Sequence, residues 1–154
     1  MILNILQNEN ERISWDTYFM SIATLASLRS SCNKLHVGSV IVKNNRVVSM
    51  GYNGFISGSP HISHIIDNHE QATVHSEINA ITDCAKRGVC IDNAKIYITH
   101  FPCINCFKTI VSCGINEIIY YDDYNNDDLV FVLAKEANII IQKYESYPSP
   151  PSTK

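Results

Sequence analysis

The spacing of apolar positions changes several times along this chain, and each change marks an element. From Trp15 to Arg29 the apolar residues Tyr18, Phe19, Ile22, Leu25, Ala26 and Leu28 recur at close to helical spacing. Ser14 stands where an N-cap belongs, with Asp16 and Thr17 in the first turn. This helix is expected to pack on a sheet with its Trp and Tyr in the core. The runs Val37–Val42 and Val47–Met50 are rich in β-branched residues and flank Lys43-Asn44-Asn45-Arg46, which predicts a hairpin with an Asn-containing turn. Gly51-Tyr52-Asn53-Gly54 reads as a strand end bracketed by glycines, where backbone turns sharply or comes close to a ligand. On periodicity alone Asn53 is an ordinary turn residue.

Phe55 to Val74 is a long insertion holding His61, His64 and His69. After it, Ile78, Ala80, Ile81, Cys84 and Ala85 place a helix over Ser76–Arg87, stopped by Gly88. Ala94–Thr99 is a strand, and Pro102 precedes a helix whose first turn carries Cys103 and Cys106 and which runs to Gly114. Ile118–Tyr121 is a further strand, followed by the acidic connection Asp122–Asp128, a helix over Leu129–Glu136 and a last strand at Ile139–Ile141. A hairpin followed by strand–helix repeats predicts an α/β fold: three layers, α/β/α, around a mixed five-stranded sheet.

With 154 residues the chain is expected to form one domain, 1–147 with its core at about 15–141. The tail 148–154, with three prolines and two serines, has nothing to bury and is expected to be disordered. A net charge of −3 speaks against a surface that coats nucleic acid. No secretory leader pattern and no membrane-length apolar run is present, so a cytoplasmic, reducing setting is expected for the six cysteines. Cys84 and Cys113, within apolar helical patterns, read as small buried hydrophobes.

Candidate chemistry concentrates in His75-Ser76-Glu77 and Pro102-Cys103-Ile104-Asn105-Cys106. One His and two Cys suit a tetrahedral zinc with its fourth position left for water, and Glu77 stands two residues from the His to move that water's protons. A lone Cys-x-x-Cys is as readily half of a structural zinc site or a redox pair. A structural zinc, however, takes four protein ligands and has no use for an acid beside one of them. The histidines of the insertion read as solvated; joined by Cys32, they also make the donor set of a second, closed zinc site: Cys32, His61, His64 and His69.

His-x-Glu followed by Pro-Cys-x-x-Cys is the signature of zinc nucleobase deaminases. With Arg29-Ser30-Ser31-Cys32, Val37-Gly38-Ser39-Val40 and Gly51-Tyr52-Asn53-Gly54, the chain resembles the cytidine deaminase-like superfamily, and within it the deoxycytidylate (dCMP) deaminases. The resemblance implies that His75, Cys103 and Cys106 hold zinc, that Glu77 shuttles protons, and that dCMP is hydrolysed to dUMP and ammonia, supplying dUMP for thymidylate synthesis. It implies that Asn53 hydrogen-bonds the deoxyribose, and it points to Arg29 and Ser30 for the 5′-phosphate, a region that could instead serve a regulatory nucleotide. It further implies a homo-oligomer, commonly a hexamer, with dCTP and dTTP as effectors, and no nucleic-acid or membrane partner.

Two departures from the family pattern stand out. Ser76 replaces the usual Ala between His and Glu, still a small residue with which activity is expected to survive, and the donors that some relatives use for a second zinc are reduced here to Cys32 and the three histidines. The competing readings are deamination of another cytosine nucleotide or an RNA base, and a non-catalytic zinc-stabilised module; an intact Glu77 argues against the last.

Overall fold

A computed structural model describes residues 12–145, so the Pro/Ser tail expected at 148–154 lies outside the described residues. Helix α1 (Trp15–Ser27) is capped by Ser14, whose Oγ accepts from the Thr17 N–H at 3.1 Å. Strands β1 (Gly38–Lys43) and β2 (Arg46–Tyr52) form the expected antiparallel hairpin. Asn44 and Asn45 at its tip have φ of 52° and 54°, the pair of left-handed conformations that a two-residue type I′ turn requires.

The insertion has structure of its own. Strands β3 (Gly54–Phe55), β4 (Ile65–Ile66), β5 (His69–Glu70) and β6 (Thr73–Val74) pair as two small ribbons, β3 with β6 and β4 with β5. Glu70 ties the β4–β5 ribbon together: its Oε1 accepts from the backbone N–H groups of His64 and Ala72 at 3.0 and 2.9 Å.

Helix α2 (Ser76–Arg87) ends at Gly88, whose φ of 67° closes the last turn as its place in the sequence predicts. Strand β7 (Lys95–His100), helix α3 (Ile104–Ser112), strand β8 (Glu117–Asp122), helix α4 (Asp128–Glu136) and strand β9 (Ile140–Lys143) complete the chain. The sheet order is β2-β1-β7-β8-β9, with β1 antiparallel to both neighbours and β7, β8 and β9 parallel. This is the mixed five-stranded sheet expected.

Alternation along the strands splits the core into two layers. Val40, Val42, Tyr97 and Ile119 meet Phe19, Met20 and Ala23 of α1 on one face. Ile41, Ile96, Ile98 and Ile118 meet Ala80 and Ile81 of α2, Phe107 and Ile110 of α3 and Val130 of α4 on the other.

The orientation of α1 differs from expectation. Trp15 and Tyr18 are 46% and 44% exposed, while Thr17, Phe19, Met20, Ala23 and Ser27 are buried. The inner face combines Phe19 and Met20 with the small or polar Thr17, Ala23 and Ser27. A Cβ at Gly38 of β1 would stand 2.0 Å from Ala23 O and 2.6 Å from Ser27 N, so the second half of the helix lies too close to the sheet for large side chains. Gly51 has a different use from the one the sequence suggests. A Cβ there would stand 2.0 Å from Ser76 O and 2.7 Å from Ala80 N, so it lets α2, rather than a ligand, approach β2.

Candidate metal centre and active site

Parallel strand–helix repeats bring helix N-termini to one end of the sheet, and two of them meet here. His75 is the N-cap of α2 and Cys103 the N-cap of α3; Cys106 lies within the first turn of α3. Cys103 thus caps the helix rather than occupying its first turn, and its Sγ accepts from the Cys106 N–H at 3.5 Å. His75 Nδ1 lies 3.3 Å from Cys106 Sγ and 3.7 Å from Cys103 Sγ. All three donor atoms lie within 4.8 Å of one another. His75 and Cys103 are exposed and Cys106 is buried, so the cluster opens to one side.

Two sulfurs and an imidazole nitrogen converging on one point fit zinc, whose preferred ligands are these and whose catalytic sites keep one position open. The thiols are already poised. The Cys103 thiol is lowered to about 4 by the hydrogen bond from Cys106, with His75 and the Cys106 N–H adding to it. Cys106 is correspondingly pushed up, by its bond to Cys103 and by burial.

Glu77 lies against this cluster. It stands in the first turn of α2, two residues after His75, is only 4% exposed, and its charge acts on Cys106. Burial raises its pKa, partly offset by its own backbone N–H, by His75 and by Ser76. A buried carboxyl whose pKa moves toward neutrality is suited to both taking and giving a proton.

Residues 13–122 match the family model of the cytidine and deoxycytidylate deaminase zinc-binding region. The chain belongs to this family. ComE operon protein 2 of Bacillus subtilis is 42% identical over 139 residues, covering 88% of this chain and 74% of that protein. The deoxycytidylate deaminase of Saccharomyces cerevisiae is 36% identical over 149 residues, covering 90% of this chain; this chain spans about half (47%) of the yeast enzyme's length. Among solved structures, the dCMP deaminase of cyanophage S-TIM5 in complex with dCMP and dUMP superposes with a TM-score of 0.78 at 27% identity, covering 88% of this chain and all of that one. The zinc-dependent deaminase fold expected from the motifs is therefore the fold of this family member.

Asn53 is 7% exposed and held on three sides. Its Oδ1 accepts from Ser30 Oγ at 2.7 Å and from the Val37 N–H at 2.8 Å, and its Nδ2 donates to Leu35 O at 2.7 Å. It is not a simple turn residue: it fastens the 28–37 loop to the end of β2. Leu35 and Val37 act through backbone atoms, which no side-chain pattern announces. Ser30 belongs to the same knot, its hydroxyl proton shared between Asn53 O and Oδ1 and its oxygen accepting from the Cys32 N–H. Arg29 is exposed at the end of α1.

The four donors considered for a second zinc are not brought together. Among the described residues the only group of three or more such donors is His75, Cys103 and Cys106. Cys32 is buried, His61 stacks on Phe55 with ring centroids 4.9 Å apart, and His64 and His69 point outward on the β4–β5 ribbon. The His61 ring stacks on Phe55 and Glu70 stitches the β4–β5 ribbon, so contacts within the insertion hold these side chains apart.

Proposed function

We propose that this chain is a zinc-dependent deaminase of dCMP, converting dCMP and water to dUMP and ammonia. One observation carries the reading: the nearly buried carboxylate of Glu77 stands beside three convergent zinc donors that leave one side open. The solved relative with dCMP and dUMP bound supports the choice of nucleotide.

His75, Cys103 and Cys106 would hold the metal, which when bound makes a water molecule nucleophilic at neutral pH. The chain's own groups do the rest. Glu77 accepts one proton of the water that attacks C4 of cytosine and delivers it to the ring nitrogen, then moves the second, from the new C4 hydroxyl, to the amine as it departs as ammonia. Its burial keeps bulk water from competing for those protons.

Asn53 takes the sugar: Leu35 occupies one N–H of its amide, and the other is free to donate to a deoxyribose hydroxyl. The 5′-phosphate goes to Arg29, whose guanidinium offers paired donors to phosphate oxygens. Ser30 contributes by fixing Asn53 rather than by meeting the phosphate, because its single proton is already engaged. No described helix is long and apolar enough to cross a membrane, and the reading is of a cytoplasmic homo-oligomer, a hexamer, regulated by dCTP and dTTP.

Loss of cytosine absorbance, followed separately with dCMP, dCTP, CMP and deoxycytidine, tests the proposal. The expected result is fastest turnover of dCMP by the zinc-loaded protein, and a Glu77→Gln variant that keeps its zinc and loses turnover. Equal rates on deoxycytidine would remove the nucleotide assignment, and full activity in Glu77→Gln would remove the mechanism.

A further inference from the structure

Strand β7 ends at His100, three residues before Cys103, between the start of β1 and the end of β8. Its ring is fixed from behind. The buried Thr99 hydroxyl accepts the Gly38 N–H at 3.1 Å and meets His100 Nδ1 at 3.0 Å. On its other side stands Tyr124, edge to face, with ring centroids 6.0 Å apart and planes at 89°. Tyr124 belongs to the β8–α4 connection, which has order of its own: its N–H donates to Asn126 Oδ1, and Asn126 in turn donates to Asp123. His100 is half-buried. Burial lowers its pKa, offset only in part by Asp122, so the ring is uncharged at neutral pH.

We propose that His100 and Tyr124 form the wall against the C5–C6 edge of the pyrimidine, and that His100 sets how large a group at C5 the site accepts. The inference rests on the deaminase reading above and deepens it. Three parts of the cytosine ring already have their places: C4 beside His75, Cys103 and Cys106, N3 facing Glu77 of α2, and N1 carrying the sugar toward Asn53 at the end of β2. The edge left over, C5–C6, lies across the ring from N3. It therefore turns away from α2, toward the side where α3 and the β8–α4 connection begin, and there the two rings stand. That edge offers only C–H groups, which need close contact and no hydrogen bond, and aromatic rings supply such contact in edge-to-face arrangements. The position also agrees with the habit of open α/β sheets to bind ligands beyond the carboxyl ends of their strands, since β7 and β8 both end here.

The test uses the zinc-loaded protein, with dCMP and 5-methyl-dCMP as paired probes. In His100→Ala the ratio of their kcat/KM values is expected to shift by about tenfold in favour of the methylated nucleotide, the usual worth of room for one methyl group. In His100→Trp it should shift by about as much the other way. Both probes meet the same folded fraction, so damage to the fold alone lowers both rates and leaves the ratio where it was. A ratio that stays within about twofold of wild type in both variants would overturn the wall. The affinities of the two probes for zinc-loaded Glu77→Gln, with and without His100→Ala, give a second reading that needs no turnover, and the same tenfold shift is expected there. A wild-type chain that binds dCMP without converting it would overturn the deaminase reading, and the affinity ratio would then decide the role of His100 by itself. Binding of neither nucleotide would overturn both.

Discussion

The Tyr97 hydroxyl of β7 donates to Asp16 Oδ1 in the first turn of α1 at 2.6 Å, a link across 81 positions of sequence. Tyr97 is otherwise buried against Phe19, ring centroids 5.3 Å apart, so the hydroxyl is the polar end of a mostly apolar contact between sheet and helix. Tyr97→Phe keeps the ring and removes the bond to a carboxylate. The expected loss is about 1.5–3 kcal/mol, read from urea unfolding.

The same pair sets a pH dependence. Burial, and then Asp16, push the Tyr97 pKa well above its ordinary value of 10. The folded state keeps the proton at pH values where the unfolded chain has released it. The stability from this group is therefore complete below pH 10 and declines as pH rises beyond it. The difference between wild type and Tyr97→Phe should narrow above pH 10, which unfolding curves at pH 8, 10 and 11 would reveal. A constant gap would show that folding does not hold the Tyr97 proton above its ordinary pKa.

Metal content separates the donors that converge from those that do not. His75→Ala and Cys106→Ser each leave two donors where zinc needs three, so bound zinc should fall from about one per chain to near zero. The ligand-linked rise in melting temperature should vanish with it. Cys32→Ser, made in a residue the structure keeps apart from any cluster, should retain the full zinc content. Loss of zinc in that variant would restore a second site.

Glu77 offers a prediction of opposite sign for stability and activity. Burial raises its pKa above the ordinary value of 4.5. Folding therefore favours its protonated form, and the contribution of the group is fully present below pH 4.5 and is lost as pH rises through the folded value. At pH 7 the metal-free wild type has lost stability through the burial of Glu77, a loss that Glu77→Gln does not suffer. The variant should melt higher at pH 7, the advantage disappearing below pH 4.5, while turnover falls by about 100-fold or more. Equal melting temperatures at pH 7 would mean that Glu77 carries no desolvation cost.

Where local chemistry decides a feature, one sequence suffices to find it. Gly88 stops α2 because a left-handed residue is needed there, Asn44 and Asn45 turn the hairpin for the same reason, and the zinc donors announce themselves by their spacing. What fails is what depends on the distance between elements. The inner face of α1 includes Ala23 and Ser27 beside Phe19 and Met20, because the second half of the helix is pressed onto Gly38 of β1 and leaves no room there for large side chains. Trp15 and Tyr18 made the outer face look like the core. The role of Asn53 was hidden because its partners are the Leu35 and Val37 backbone.

The seating of α2 on β2 is what aligns Glu77 and His75 with the two sulfurs, which come from α3 beyond β7. Gly51 controls that seating. A methyl group at this position would lie 2.0 Å from Ser76 O and 2.7 Å from Ala80 N, both backbone atoms that cannot swing aside. Gly51→Ala must therefore lift the first turn of α2 from the sheet. The expected cost is about 3 kcal/mol of stability, as for other overpacked cores. His75 would move with the helix while Cys103 and Cys106 stay on α3, so zinc affinity should fall although no ligand has been changed. Titration with a competing chelator measures that affinity directly. If Gly51→Ala lowers the urea midpoint yet binds zinc as tightly as wild type, α2 accommodates the methyl group without carrying His75 away, and the alignment does not depend on this contact.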